Sequence, residues 1–384
     1  MQDNNRSRAF GILIIACGLL VLVAATCNVS IGQDTIDRNR VKELYEKSKR
    51  GDKLTPEEQK YLDRAIQELK GKDKKPEPVK PAQGDEKRKE QPSTGLKPLT
   101  EMTPDDRYKG EDGGLYGGGK NEPPEIHQRA AKEALKKITP LDAQGKPAKD
   151  GKIVFISLGM SNTFGAFAMF KEVADRDPQK APDVLLVNCA VGGAGVSSWA
   201  KRGSGTWNTV AERLKAANVT PEQVQVAWIK HTEPGPSPDT VPLQYAKKVK
   251  EDIAASLAIT RSTFPNLRVA YLSSRIYGGY NIAGIRRVNP EPFAYETAFA
   301  VRWVIQDQIN REKKGPIDGP ILLWGPYLWA DGITPRKTDK LTWERKDLSE
   351  DGVHPSKLGG QKVANLLLEF FKNETGAKSW FVKQ

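Results

Sequence analysis

From Lys152 onward, five apolar runs alternate with amphipathic stretches. The runs are "KIVFISL" (152–158), "DVLLVNCA" (183–190), "VQVAWIK" (224–230), "LRVAYLSS" (267–274) and "PILLWG" (320–325). Each is apolar through most of its length, the mark of strands buried on both faces. Between them lie "WNTVAERLKAAN", "PLQYAKKVKEDIAASLAIT" and "EPFAYETAFAVRWVIQDQINREKK", and "KLGGQKVANLLLEFFK" follows the last. This alternation predicts an α/β fold, a three-layer α/β/α sandwich around a central parallel sheet. In such sheets, sites form outside the carboxyl ends of the strands.

Ahead of this region the pattern changes. Val41, Leu44 and Tyr45 form one small helical stripe, and Tyr61, Leu62, Ala65, Ile66 and Leu69 form another. Thr55 can cap the second helix, Pro56 suits its first turn and Glu58 completes a capping box. A short helical segment is therefore expected over 31–70. It is followed over 71–105 by a disordered linker of Lys, Glu and Pro, whose opening stretch "GKDKKPEPVKPAQGDEKRKEQPST" holds almost no large apolar residue with which to offset the entropy of ordering. The main domain then occupies 106–384, beginning with a Gly-rich lead-in, "EDGGLYGGGKNEPPEIHQ", wrapped on its surface. Residues 1–30 carry Arg6 and Arg8 ahead of the mostly apolar stretch Ala9 to Thr26, long enough for a signal peptide or an N-terminal membrane anchor. Cys27, in "AATC", adds a lipoprotein-like cleavage box as a third option. Each option exports the chain to the periplasm, the cell envelope or the exterior, with the membrane as a partner if the segment is retained.

Composition narrows the function classes. The chain has 384 residues, 38% of them hydrophobic, and a net charge of +12. Much of the Lys lies in the linker, and no nucleic-acid module accompanies it, so no nucleic-acid partner is expected. Cys17 falls in the apolar segment and Cys189 on a predicted strand, which leaves no paired disulfide framework; Cys189 reads as a small core residue. "GGAGVS" lacks the third glycine of a dinucleotide loop. His127, His231 and His354 are too scattered for a zinc site, and His127 reads as structural. No cofactor and no metal is expected.

The polar residues at the strand ends can carry chemistry. Ser161 follows the first strand, Gly192 and Gly193 the second and His231 the third, while Asp351 and His354 precede the last helix. A serine hydroxyl needs a base within reach, and the imidazole needs an acceptor that fixes its tautomer. "DGVHPS" supplies both within four residues, although Asp-x-x-His also occurs in ordinary helix-capping turns.

Taken in order, "GMSNT", "NCAVGGAGVSSW", "WIKHTE" and "DGVHPS" resemble the blocks of the SGNH (GDSL-like) hydrolases, and specifically the carbohydrate esterase branch related to sialate O-acetylesterases. The resemblance spans about Lys152 to Lys372. It implies a flavodoxin-like fold, with Ser161 as nucleophile, His354 as general base and then acid, and Asp351 orienting it. It also implies an oxyanion hole from the Ser161 and Gly193 N–H groups plus a third-block side chain. There the sequence departs from the family, which usually has Asn, or Gln in the sialate branch. Here Lys230 and His231 occupy the block, His231 being the leading donor and Lys230 an alternative. Asn162, Lys230, Arg275, Tyr277 and Trp329 are candidate substrate-binding residues, with Tyr280 and Tyr327 nearby; their aromatic faces would suit sugar rings, though each could equally pack its loop. The function implied is an exported serine esterase removing acyl groups, above all acetyl, from a carbohydrate or another small ester. A weakly active glycan-binding or scaffold protein on the same fold, and a lipase- or thioesterase-like enzyme, stand as alternatives.

Overall fold

The computed structural model describes residues 41, 44, 47, 54–73, 90–236, 240–241, 243–281 and 288–383. The predicted signal or anchor over 1–30 lies outside them. Among the described residues, no helix is long and apolar enough to cross a membrane. The chain divides into two compact units, Met1–Pro81 and Ala82–Gln384.

In the first unit, helix α1 spans Pro56–Asp73. Its start is fixed by reciprocal bonds: the Glu58 N–H donates to Thr55 Oγ1 (3.2 Å) and the Thr55 N–H to Glu58 Oε2 (2.9 Å). Two orphan first-turn donors are satisfied at once. Leu62 and Ala65 are buried, as is Leu44.

The second unit holds a five-stranded sheet: β1 (Ile153–Gly159), β2 (Val184–Asn188), β3 (Val224–Lys230), β4 (Val269–Leu272) and β5 (Ile321–Trp324). Its order is β2-β1-β3-β4-β5, and every pairing is parallel. This is the flavodoxin-like order, whose topological switch point falls between β1 and β3. Along the chain the helices are α2 (Glu125–Leu135), α3 (Ser161–Arg176), α4 (Val196–Trp199), α5 (Gly205–Ala216), α6 (Gln244–Thr263), α7 (Phe293–Glu312), α8 (Lys357–Asn373) and α9 (Thr375–Phe381). All residues of β1 and β3 are buried, which is what their continuous apolarity requires.

Aromatic contacts assign the faces. Phe155 of β1 meets Phe167 of α3 (5.4 Å between ring centroids), Phe371 of α8 (4.8 Å) and Trp380 of α9 (5.6 Å), each edge to face. Trp228 of β3 stacks on Phe167, and Tyr271 of β4 meets Phe370 and Phe371. One face of the sheet is thus covered by α3, α8 and α9. Cys189 is fully buried, and that burial pushes its thiol up to about 12. His127 is structural as well: its two ring nitrogens face Glu312 and the Leu322 carbonyl.

The linker predicted over 71–105 ends earlier than the sequence suggests. Residues 91–105 are part of the second unit, because Asp331 gathers them. This buried carboxylate accepts from Thr94 N–H and Oγ1 (both 2.6 Å), Gly95 N–H (2.8 Å) and Ser93 Oγ. Leu99 and Met102 follow into the core. The Gly-rich stretch wraps the domain as expected, since buried Arg302 reaches the Glu111 and Asp112 carboxylates and the Gly114 carbonyl.

Asp331→Ala removes the acceptor for two backbone N–H groups and two hydroxyls. It is expected to cost about 3 kcal/mol, read by chemical denaturation, and to open a new proteolytic cut between residues 91 and 103. A variant as stable and as protease-resistant as the parent would show that the carboxylate does not hold the strap.

Candidate active site

Ser161 is the first residue of α3, immediately beyond the carboxyl end of β1. A nucleophile there sits where the unpaired first-turn N–H groups and the helix dipole favour negative charge. Its hydroxyl lies 2.8 Å from His354 Nε2, across 193 positions of sequence.

The turn over 351–354 shapes the other half. Asp351 Oδ1 accepts from the Val353 and His354 N–H groups (both 3.0 Å), and Oδ2 lies 2.5 Å from His354 Nδ1. Gly352 takes a left-handed φ of +63°, and a Cβ there would come within 1.8 Å of the Tyr280 carbonyl oxygen. Only glycine fits, and the carboxylate folds back onto its own loop. Burial alone would raise the Asp351 carboxyl, but the His354 and Val353 N–H groups and the imidazole outweigh it and hold the group below the usual carboxylate range. These bonds favour the ionised form of Asp351 beside the imidazole.

Asn162 joins the two halves. Its Nδ2 donates to the Val353 carbonyl (3.0 Å), fixing the start of α3 against the histidine loop. It is 3% exposed, so its geometry is that of a positioning residue more than a substrate contact.

Gly193, in the loop after β2, has a left-handed φ of +77°, and its N–H has no backbone acceptor among the described residues. Backbone bonds carry this loop to the site: Val191 N–H donates to the Gly159 carbonyl (2.8 Å) and Val196 N–H to the Thr232 carbonyl (2.9 Å). Glu233 then binds the Ser197 N–H (2.9 Å) and hydroxyl (3.0 Å). The loop that carries Gly193 is thus bonded to the end of β1, two residues before Ser161.

The structure does not bring His231 to this centre. Its Nε2 bonds Ser256 Oγ of α6 (3.0 Å), its Nδ1 is sealed from solvent, and its ring packs on Trp199 (5.3 Å). Burial lowers its pKa to about 3, so the ring is neutral. Strand alternation explains the correction: Trp228 faces α3, so Lys230, two positions on, shares that face and His231 takes the opposite one. Lys230 is paired in register with Gly159, two residues before Ser161, and its carbonyl accepts from Thr163 Oγ1 of α3 (3.0 Å).

Tyr277 and Trp329 are also corrected. Both are buried, Tyr277 donating to the Gln91 carbonyl (2.6 Å) and Trp329 to Glu291 Oε1 (2.8 Å). Tyr280 and Tyr327 are buried too, bonded to the Trp343 carbonyl and the Leu99 N–H. These rings are occupied by the strap over 91–105 and its neighbours, which the linker assignment hid. Arg275 follows β4, 3% exposed, and no side-chain partner is found for it among the described residues. One aromatic was missed: Phe164, 43% exposed, stands one helical turn beyond Ser161. Its signal was an apolar residue on the nucleophile's side of α3.

No protein-family model and no curated protein matches the chain. Among solved structures, it is similar to a protein from Arabidopsis thaliana, at 13% identity over 54% of this chain and 67% of that one, with a TM-score of 0.31. It is also similar to a member of the lipolytic G-D-S-L family from Veillonella parvula (14% identity, 57% of this chain, 98% of that one, TM-score 0.31). A third is a carbohydrate esterase whose active site is described as displaying divergent catalytic and non-catalytic binding functions (14%, 60%, 71%, TM-score 0.31).

The depressed Asp351 pKa has a stability consequence. A carboxyl group whose pKa is lower in the folded state stabilises the fold above its unfolded pKa, and that contribution is lost as pH falls through the folded value. Asp351→Asn should therefore flatten the acid limb of melting temperature against pH, while the difference from wild type persists at neutral pH. Parallel curves for the two proteins would exclude this role.

Proposed function

We propose that this protein is an exported serine esterase of the SGNH (GDSL-like) type that removes O-acyl groups, chiefly acetyl, from a carbohydrate. The observation that carries it is the Ser161 Oγ to His354 Nε2 hydrogen bond of 2.8 Å, continued at Nδ1 by Asp351 at 2.5 Å. Hydroxyl, imidazole and carboxylate in that order make a nucleophile, a base and an orienting group.

Ser161 attacks the ester carbonyl while His354 takes its proton. The tetrahedral oxyanion is held by the Ser161 N–H at the α3 N-terminus and the Gly193 N–H of the loop after β2. His354 returns the proton to the departing sugar oxygen, and Asp351 stabilises the imidazolium between the two transfers. Water, deprotonated by the same imidazole, then hydrolyses the acyl-enzyme. A carbohydrate as the alcohol is supported by the sequence blocks and by half-exposed Phe164, one turn from the nucleophile, whose ring also carries the Arg213 guanidinium (5.2 Å). The apolar segment ahead of the helical region supports export to the cell envelope, where acylated polysaccharides are met.

Wild type should hydrolyse 4-nitrophenyl acetate and release acetate from acetylated xylan. Ser161→Ala should lower kcat at least a thousandfold and abolish labelling by a fluorophosphonate probe. Equal rates in the two proteins would remove Ser161 as nucleophile. Polysaccharide binding without labelling of wild type would instead favour a glycan-binding scaffold.

A further inference from the structure

Lys230 and Arg275 lie buried at the sheet edge from which Ser161 also follows, and neither has a carboxylate partner among the described residues. Lys230 ends β3 and Arg275 follows β4, the neighbouring strand, so both stand at the carboxyl edge of the sheet. Each is 3% exposed. Neither side chain has a hydrogen bond or ion pair among the described residues, and Arg275 Nε is sealed from solvent with no acceptor. Such a pair is costly, because a buried charge needs a counter-charge and its donors need acceptors.

Among the described residues, the surroundings do not supply that counter-charge. Tyr245, Glu291 and Asp351 attract Arg275 through space, yet no carboxylate among the described residues reaches ion-pair distance of it. Asp351 is committed to His354, and Glu291 accepts from the Gly278 and Tyr295 N–H groups and from Trp329. Burial, reinforced by Arg275, lowers the Lys230 pKa well below the usual lysine range, and burial lowers Arg275 to about 10. Both shifts disfavour the charged forms, and an anion brought between the two groups would oppose them.

We infer that Lys230 and Arg275 form an anion subsite that binds a carboxylate of the substrate, so that the preferred ester carries a negative charge near the scissile bond. A guanidinium presents a planar fork that matches a carboxylate, and an ammonium beside it adds a second charge-assisted donor. The subsite lies on the β3–β4 side of β1, and Gly193, after β2, lies on the other. A substrate whose carbonyl oxygen is held by the amides can therefore extend its anionic end toward the cations. The carboxylate can belong to the acyl half, as in a dicarboxylic half-ester, or to the alcohol half, as in a uronate. This inference rests on the esterase function proposed above.

The full chain is assayed with three probes: 4-nitrophenyl hydrogen glutarate, with the charge on the acyl half, 4-acetoxybenzoate, with the charge on the alcohol half, and the neutral methyl 4-acetoxybenzoate. One of the charged esters should be preferred over the neutral one at least tenfold in kcat/KM, and the winner identifies the half. In Arg275→Met and Lys230→Met that ratio should fall toward one, chiefly through KM. A ratio near one in wild type, or one unchanged in both variants, overturns the subsite. Equal loss on all three esters in Lys230→Met, with the ratio kept, would make Lys230 an oxyanion donor and overturn its role here. Binding separates this from the chemistry: glutarate or benzoate should raise the melting temperature of Ser161→Ala and fail to do so once Arg275→Met is added. If wild type hydrolyses no ester but this shift is seen, the esterase function fails and the subsite stands; if esters turn over without preference or shift, the reverse holds.

Discussion

The site depends on the packing of α3 against α8 across the aromatic side chain of Phe155. Ser161 opens one of these helices and His354 stands three residues ahead of the other, so their separation is set by how the helices rest on β1. Phe155 contacts Phe167, Phe170 and Phe371 at ring separations of 4.8 to 6.1 Å. Interiors packed at this density transmit displacements and do not absorb them. A truncation at Phe155 would act on the hydrogen bond at Ser161 without any contact to it, since the two helices would settle into the space left behind.

Packing brings the helices together, and short-range polar bonds refine the result. Asn162 to Val353 spans the two helix starts, and Asp351 organises its loop through its own backbone. Bonds from Val191 to Gly159 and from Val196 to Thr232 draw the β2 loop to the ends of β1 and β3. The charges at the sheet edge are arranged unequally. Asp351 is satisfied by three donors, while Lys230 and Arg275 are buried without a side-chain partner among the described residues, Arg275 Nε being sealed from solvent. A fold tolerates such an imbalance when its stability comes from elsewhere, here from the apolar faces of the sheet.

The layers were legible in the sequence because strands buried on both faces are apolar almost throughout, and each of the five runs became a strand. The capping box at Thr55 and Glu58 was legible because its chemistry is local. Ser161 could be singled out since a polar residue after a buried strand stands at a sheet edge, and Asp351 and His354 because the compact Asp-x-x-His spacing ahead of the last helix is local chemistry. Long-range pairing was not legible. The strap over 91–105 is poor in apolar residues and resembles the linker before it; what orders it is Asp331, more than two hundred positions away. Without the strap, Tyr277 and Trp329 look like cleft aromatics; with it, Tyr277 is bonded to Gln91, and Trp329 lies buried against Tyr277 and Glu291.

The third block shows how a strand's two-residue period decides chemistry. Lys230 and His231 are adjacent in sequence, and chemical preference favours the histidine, which can donate at neutral pH without a burial penalty as large as an ammonium's. Geometry decides against it. Trp228 stacks on Phe167 of α3, which fixes the parity of β3, and a shift of one residue would move every side chain of the strand to the other face. His231 is thereby turned toward Ser256 and Trp199, where its neutral ring packs the opposite layer. Lys230 is left on the α3 face with no carboxylate partner among the described residues. A cation retained in that position, when an uncharged residue would cost the fold less, is explained by an anion that arrives from outside.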